Sequence, residues 1–72
     1  MGGTAVITLT VNGDAVQAPE PMTVLRFLEH RSISALAIAV AHNGNVLHSG
    51  EYERTVVQDG DRLEIVRMVG GG

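Results

Sequence analysis

The sequence of 72 residues contains no cysteine, no tryptophan and no lysine, and it has only two aromatic residues. Without cysteine the chain has no disulfide, no thiolate metal ligand and no thiol nucleophile. Two aromatic rings are too few for a base-stacking platform, and the five arginines are scattered along a chain of net charge −3. We therefore expect a protein that binds no nucleic acid.

Long hydrophobic runs are also missing. No apolar run approaches the length of about 20 residues that a membrane-spanning helix needs. The first residues lack the charged segment and apolar stretch of a signal peptide. We expect a cytoplasmic protein that makes no membrane contact and is a monomer when free. A chain this short has room for one core but not for a deep catalytic cavity, which argues against an ordinary pocket enzyme.

The first part of the chain has the pattern of a hairpin followed by a helix. Residues 4–11 alternate between apolar and polar side chains, Asn12-Gly13 favours a tight turn, and residues 15–18 predict the return strand. Thr23 is a predicted helix N-cap, and Met22 and Phe27 have the spacing of a hydrophobic staple. The helix is expected to run for about ten residues and to fray near Ser32.

The second part of the chain predicts a further hairpin and a last strand. Residues 37–41 form a small apolar run, which the turn at Asn43-Gly44 joins to Val46-Leu47. Residues 50–55 are polar and irregular. Residues 62–68 alternate again, with Leu63 pointing inward. The sequence therefore predicts an α+β fold with a mixed sheet of four to five strands, one main helix on one face, and the first and last strands adjacent in its centre.

The end of the sequence carries the chemically suggestive feature. Val69 is followed by Gly70-Gly71-Gly72, so we predict a folded domain over residues 1–69 and a flexible tail over residues 70–72. A glycine tail that ends in a carboxylate can enter a narrow slot in another protein. A free carboxylate must be activated before it can transfer its acyl group, and ATP can do this by forming an acyl-adenylate. The chain has no phosphate-binding glycine loop, so the activating site is expected in a partner. The alternative is that these glycines are an incidental frayed end.

Several motifs together resemble one known family. They are Val11-Asn12-Gly13, Met22-Thr23-Val24-Leu25, the run from Ala37 to Gly44, the run from Val57 to Ile65, and the terminal glycines. With these motifs the chain resembles, over nearly its whole length, the ThiS family of sulfur carriers in thiamine thiazole synthesis. That family belongs to the ubiquitin-like β-grasp group. The chain departs from the family pattern at Gly70, which makes a triple glycine where many members have a larger residue.

The resemblance implies a role for the tail. An E1-like adenylating enzyme (ThiF type) is expected to adenylate Gly72 with Mg-ATP, while Gly70 and Gly71 thread its active site. Sulfur from a cysteine desulfurase then replaces AMP, and a thiazole synthase (ThiG type) takes the sulfur from the thiocarboxylate. On this reading the chain binds no cofactor and is a protein co-substrate rather than an enzyme.

A docking patch for these partners is predicted beside the tail. Its apolar members are Val66, Met68, Ala39 and Ala41, and Glu64 and Arg67 are expected at its rim. Scattered exposed apolar atoms and solvated charges are the alternative interpretation. His30, His42 and His48 have no regular ligand spacing, so no metal site is expected.

Two alternative functions stay open from the residues alone. One is the small sulfur-donating subunit of molybdopterin synthase, or a carrier in another thiocarboxylate pathway. The other is a ubiquitin-like binding module or protein modifier.

Overall fold

In the computed structural model, which describes residues 6–68, one α-helix packs on one face of a five-stranded mixed sheet. The elements in chain order are β1 (Ile7–Val11), β2 (Asp14–Ala18), β3 (Met22–Thr23), α1 (Val24–His30), β4 (Ile38–His42), β5 (Asn45–Leu47), a 3₁₀ helix (Ser49–Glu51), β6 (Val56–Val57) and β7 (Arg62–Arg67). The predicted α+β class and the single packed helix are confirmed. The short strands β3 and β6, which pair with each other, were not predicted.

The first and last strands meet in the middle of the main sheet, as predicted. The strand order is β2-β1-β7-β4-β5. Strand β7 pairs in parallel with β1 and antiparallel with β4, and both hairpins are antiparallel. The strand that leads toward the glycines is therefore the central strand of the sheet.

Both predicted Asn-Gly turns are present. Asn12 has φ 51° and Gly13 has φ 88°, and Asn43 and Gly44 have φ 50° and 89°. These are the left-handed conformations that asparagine and glycine accept most readily and that a two-residue hairpin turn requires. The predicted hairpins are confirmed, with Val11 opposite Asp14 and His42 opposite Asn45.

The helix begins where the capping pattern predicts. The Thr23 hydroxyl accepts a hydrogen bond from the Arg26 amide at 3.1 Å. The amides of Val24 and Leu25 donate to the carbonyls of Thr55 and Tyr52, so the backbone of a neighbouring loop caps the rest of the first turn. The helix is seven residues long, shorter than predicted, and ends at His30. Ser32 lies beyond its end at φ 58°, outside helical geometry.

The core lies between the helix and the sheet. Its largest fully buried side chains come from the helix and from the four strands that face it: Phe27, Leu9, Leu28, Leu63, Val24, Val40 and Val57. The inward alternation predicted for β1 and β7 is confirmed, since Ile7, Leu9 and Leu63 are buried. Tyr52 is also buried, although it lies in a segment predicted to be polar and irregular. The Tyr52 carbonyl accepts a hydrogen bond from the Leu25 amide, so this residue lies beside the first turn of the helix.

Within residues 6–68, no helix has the length and apolar character that crossing a bilayer requires.

Candidate functional site

The candidate site is built around the end of β7. This strand has neighbours on both sides, and its last residue, Arg67, is followed by Met68 and then by Val69 and the glycines. Gly70, Gly71 and Gly72 lie outside the described residues, so their predicted roles stay predictions. The described residues show the surface around the end of β7.

Side chains on the sheet face away from the helix form the predicted patch. Val66 lies opposite Ala39, and Glu64 lies opposite Ala41, in the β4–β7 ladder. Directly opposed residues in an antiparallel pair have Cβ atoms about 4.5–5.5 Å apart. Val66 is 60% exposed, and the two alanines are partly exposed. The structure thus brings together four of the six predicted docking residues.

One further residue belongs to this surface and was not predicted to be part of it. Val46 of β5 lies opposite Ala41 and is 74% exposed. The signal was available, because the same alternation that puts Leu47 against the core puts Val46 on the other face. We call the set Val46, Ala41, Glu64, Ala39 and Val66 the outer face.

Arg67 does not join Glu64 on the rim of one surface. Alternation along β7 places Arg67 in the row of Leu63 and Ile65, on the side of the sheet that bears the helix. There it lines an open depression of about 350 Å³ together with Met68 and the loop before β4. Met68 is 57% exposed and its amide donates to the Ala37 carbonyl at 2.7 Å. Arg67 and Glu64 therefore present their charges on opposite sides of the strand.

Polar contacts hold the other end of β7. His42 Nε2 lies 2.7 Å from Asp61 Oδ2. The same carboxylate accepts hydrogen bonds from the Gln58 amide and from the Asn43 side chain. Burial alone raises the pKa of Asp61, but the hydrogen bonds from His42, Gln58 and Asn43 outweigh it and hold that pKa below its usual range. These contacts fix the loop from which β7 starts.

The outer face is an exposed and mostly aliphatic surface of the described residues. Within residues 6–68, no three His, Asp or Glu side chains lie close enough together to hold a metal ion. The outer face combines aliphatic side chains with one carboxylate. Such a surface suits a protein partner with a matching apolar area and a basic group opposite Glu64.

Comparisons with known proteins agree on one family. The model of the ThiS family matches residues 5–72. A crystal structure of the thiamine biosynthesis protein ThiS from Geobacter metallireducens superimposes with a TM-score of 0.81 at 32% sequence identity. The match covers 92% of this chain and 100% of that one. A solution structure of a thiamine biosynthesis protein from the same organism gives a TM-score of 0.74 at 33% identity, covering 92% of this chain and 88% of that one.

Two sequence relatives differ in how much of their own length they share. A thiazole synthase from Paramagnetospirillum magneticum is 34% identical over 64 residues, which are 89% of this chain but only 20% of that protein. The uncharacterized protein ycf40 of Porphyra purpurea is 29% identical over 66 residues, covering 92% of this chain and 93% of that one. The chain therefore corresponds to about a fifth of the synthase and to nearly all of the smaller relative.

Proposed function

This chain belongs to the ThiS family, the sulfur carriers of thiamine biosynthesis, and we propose that it carries sulfur as a thiocarboxylate on Gly72. A carrier of this family is not itself catalytic. The chemistry is therefore supplied by partner enzymes, and this chain supplies the reacting carboxyl group and the surface by which it is recognised.

The proposed cycle has three steps. A carboxylate oxygen of Gly72 attacks the α-phosphorus of Mg-ATP bound to an E1-like enzyme of the ThiF type, and pyrophosphate leaves. The terminal sulfur of a persulfide, generated by a cysteine desulfurase, then attacks the acyl carbon and displaces AMP. A thiol then cleaves the resulting S–S bond and is itself oxidised to a disulfide. The thiocarboxylate remains on Gly72.

The observation that carries the proposal is the coincidence of the family match with the position of β7. The match extends through Gly72, and β7 is the central strand of the sheet, with only Met68 and Val69 between its last residue and Gly70 in the sequence. Gly70 and Gly71 are proposed to thread the partner's active site, since residues without a Cβ make the narrowest chain. The outer face, which includes Val66 near the end of β7, is proposed to dock the same partners.

The thiazole branch is favoured over the molybdopterin alternative by a specific observation. The thiazole synthase from Paramagnetospirillum magneticum contains a segment similar to this chain. We propose that a ThiG-type thiazole synthase accepts the sulfur from this carrier in the cytoplasm, and that the carrier is monomeric between encounters.

Intact mass spectrometry tests the proposal. The chain is incubated with a ThiF-type enzyme, Mg-ATP, a cysteine desulfurase, cysteine and a thiol reductant. We expect its mass to rise by the difference between one sulfur and one oxygen atom. The matched control lacks Gly71 and Gly72 but keeps residues 6–68, and it should gain nothing.

Three results would contradict parts of the proposal. An unchanged mass of the full chain with competent partner enzymes excludes the thiocarboxylate. Equal sulfur gain by the truncated control places the reaction away from Gly72. Transfer of the sulfur to a molybdopterin synthase but not to a thiazole synthase assigns the chain to the other pathway.

A further inference from the structure

The side chain of Asn12 makes contacts that its hairpin turn does not require. Strand β1 ends at Val11, and its parallel register with β7 stops at Val11 opposite Leu63. The Asn12 amide makes the last backbone contact of this ladder, donating to the Leu63 carbonyl at 2.9 Å. Strand β7 continues to Arg67, so its second half extends beyond the end of β1.

The Asn12 side chain takes the place of the missing strand residue. Its Oδ1 accepts a hydrogen bond from the Ile65 amide at 2.8 Å. Its Nδ2 donates to the Ile65 carbonyl at 3.1 Å. One carboxamide thus satisfies both backbone groups of Ile65 that face the β1 side, which in a continued parallel ladder would bond to two different residues of the neighbouring strand.

The two hydrogen bonds from Asn12 hold the end of β7 on the edge that faces β1. On its other edge β7 pairs with β4 as far as Arg67 opposite Ile38, and Met68 then bonds to Ala37. On the β1 edge, within the described residues, the Asn12 side chain is the last contact. A strand secured along one edge only is free to swing about that edge.

A small swing matters because the reacting atom lies further along the chain. At a rise of about 3.3 Å per residue, a tilt of about 10° at Ile65 displaces the backbone by about 2 Å at Met68. The glycine tail, which ends in the proposed reacting carboxyl group, begins two residues beyond Met68 in the sequence. Misplacing a reacting group by about 1 Å can cost about a hundredfold in rate.

We propose that Asn12 is a positioning residue for acyl activation and sulfur transfer at Gly72. Its carboxamide aligns the end of β7 with the sheet, so that the tail leaves the docked domain toward the partner's active site. This role rests on the proposed function. It assigns to the first Asn-Gly turn a task that hairpin geometry does not explain.

Asn43 provides a matched control within the same chain. It occupies the equivalent position of the other Asn-Gly turn, with φ 50° against 51° for Asn12. Its Oδ1 accepts from the Arg62 amide at 2.8 Å, so it also contacts β7. Arg62 is the first residue of that strand, at the end remote from the tail. Losing the Asn43 side chain weakens the same strand without releasing its last residues.

The test compares Asn12→Gly with Asn43→Gly. Glycine accepts the positive φ at both positions, so each substitution removes the side-chain contacts and keeps the turn. The rate of thiocarboxylate formation is measured over a range of carrier concentrations with the ThiF-type enzyme, at a temperature at which circular dichroism shows all variants folded. We expect Asn12→Gly to lower the maximal rate about tenfold with KM changed less than about twofold, since docking is unaffected. Asn43→Gly should change both by less than about twofold.

Two further measurements make the outcome decisive. Asn12→Asp keeps the acceptor for the Ile65 amide but loses the donor, so it should give an intermediate rate and replaces Asn12→Gly if that variant does not fold. Residual dipolar couplings of the Val66, Arg67 and Met68 amides should change in Asn12→Gly and not in Asn43→Gly. Equal maximal rates for the two glycine variants, or unchanged couplings in Asn12→Gly, would overturn the proposal.

The result also separates this inference from the proposed function. If the unmodified chain gains no sulfur, the proposed function fails and the role of Asn12 in transfer falls with it. If the unmodified chain is converted normally and Asn12→Gly behaves like Asn43→Gly, only the positioning role is wrong.

Discussion

The two faces of the sheet carry similar side chains and have opposite environments. On the face covered by the helix, Leu9, Val40 and Leu63 are at most 1% exposed. On the outer face, Val46 and Val66 are 74% and 60% exposed. Strand β7 supplies members of both sets, because successive residues of a strand point to opposite faces. Hydrophobicity alone therefore does not distinguish residues that stabilise the fold from residues available to a partner.

Strand β7 shows this division within six residues. Leu63 belongs to the core cluster and Ile65 packs against it, while Glu64 and Val66 contribute nothing to it. Burying apolar area stabilises a fold by about 25 cal/mol per Å², so the exposed part of Val66 adds little to folding. It stays available to stabilise a complex. Substituting a residue of β7 that faces the core should therefore lower stability, whereas substituting one on the outer face should weaken partner binding.

The largest expected effect is a loss of stability on the face of the sheet covered by the helix, which we call the inner face. Leu63→Ala removes a fully buried side chain and should lower the free energy of unfolding by about 3 kcal/mol, through lost burial and the cavity that remains. Val66→Ala, on the same strand, should lower it by less than about 0.5 kcal/mol. Urea denaturation followed by circular dichroism measures both values.

This pair tests the comparison directly. A domain of this size has a total stability of only several kcal/mol, so Leu63→Ala should shift the thermal midpoint by more than about 10 °C. If the two alanine variants lost similar stability, the outer face would be part of the folding core and not a docking surface.

The next effect concerns binding. Val66→Arg places a positive charge on the outer face and should weaken the association with a ThiF-type enzyme by about tenfold, or about 1.4 kcal/mol. Stability should change by less than about 0.5 kcal/mol, because the site is exposed. Isothermal titration calorimetry gives the affinity.

The matched control for this variant is Val56→Arg. Val56 is also an exposed strand valine, 42% accessible, but it lies in the separate β3–β6 pair. This variant should bind the enzyme as the unmodified chain does. An equal loss of affinity in both variants would show that added positive charge weakens binding in general and that the outer face has no special part.

The features predicted correctly are those with a local signal. Alternation in β1 and β7 gives the faces, the two Asn-Gly pairs give the turns, and Thr23 gives the helix start. These patterns work because each depends on residues a few positions apart. The family resemblance added a proposed chemistry for the tail, which stays a prediction.

The features that were missed depend on contacts between distant parts of the chain. The Tyr52 ring is buried because the backbone around it caps the helix, and a single aromatic residue in a polar segment has no periodicity to reveal this. The hydrogen bonds from Asn12 to Ile65 span 53 positions. Arg67 was grouped with Glu64 because both are charged and close in sequence, although strict alternation assigns them to opposite faces.

The smallest expected effect is a stability change at Asp61, at the start of β7. Unlike the effects expected on the two faces of the sheet, it depends on pH. Hydrogen bonds hold the pKa of Asp61 below its usual range in the folded chain. The carboxylate therefore contributes stability that is fully present above the ordinary aspartate pKa of about 3.9 and is lost as the pH falls through the lower folded value. Asp61→Asn should cost about 1 kcal/mol at neutral pH, and the difference from the unmodified chain should shrink in acid.

Urea titrations from pH 7 down to pH 3 measure this difference, and His42→Gln tests its source. His42 supplies the 2.7 Å contact to Asp61, so without it the pKa of Asp61 should rise toward its ordinary value and the acid-dependent part of the difference should diminish. Leu63→Ala serves as the reference from the inner face. The free energy of unfolding lost in Leu63→Ala comes from packing, and leucine has no titratable group. This loss should therefore stay constant over the same pH range as long as the variant is folded. The distinction between the inner face and the polar start of β7 would be lost if the stability cost of Leu63→Ala depended on pH. It would also be lost if the stability cost of Asp61→Asn did not depend on pH.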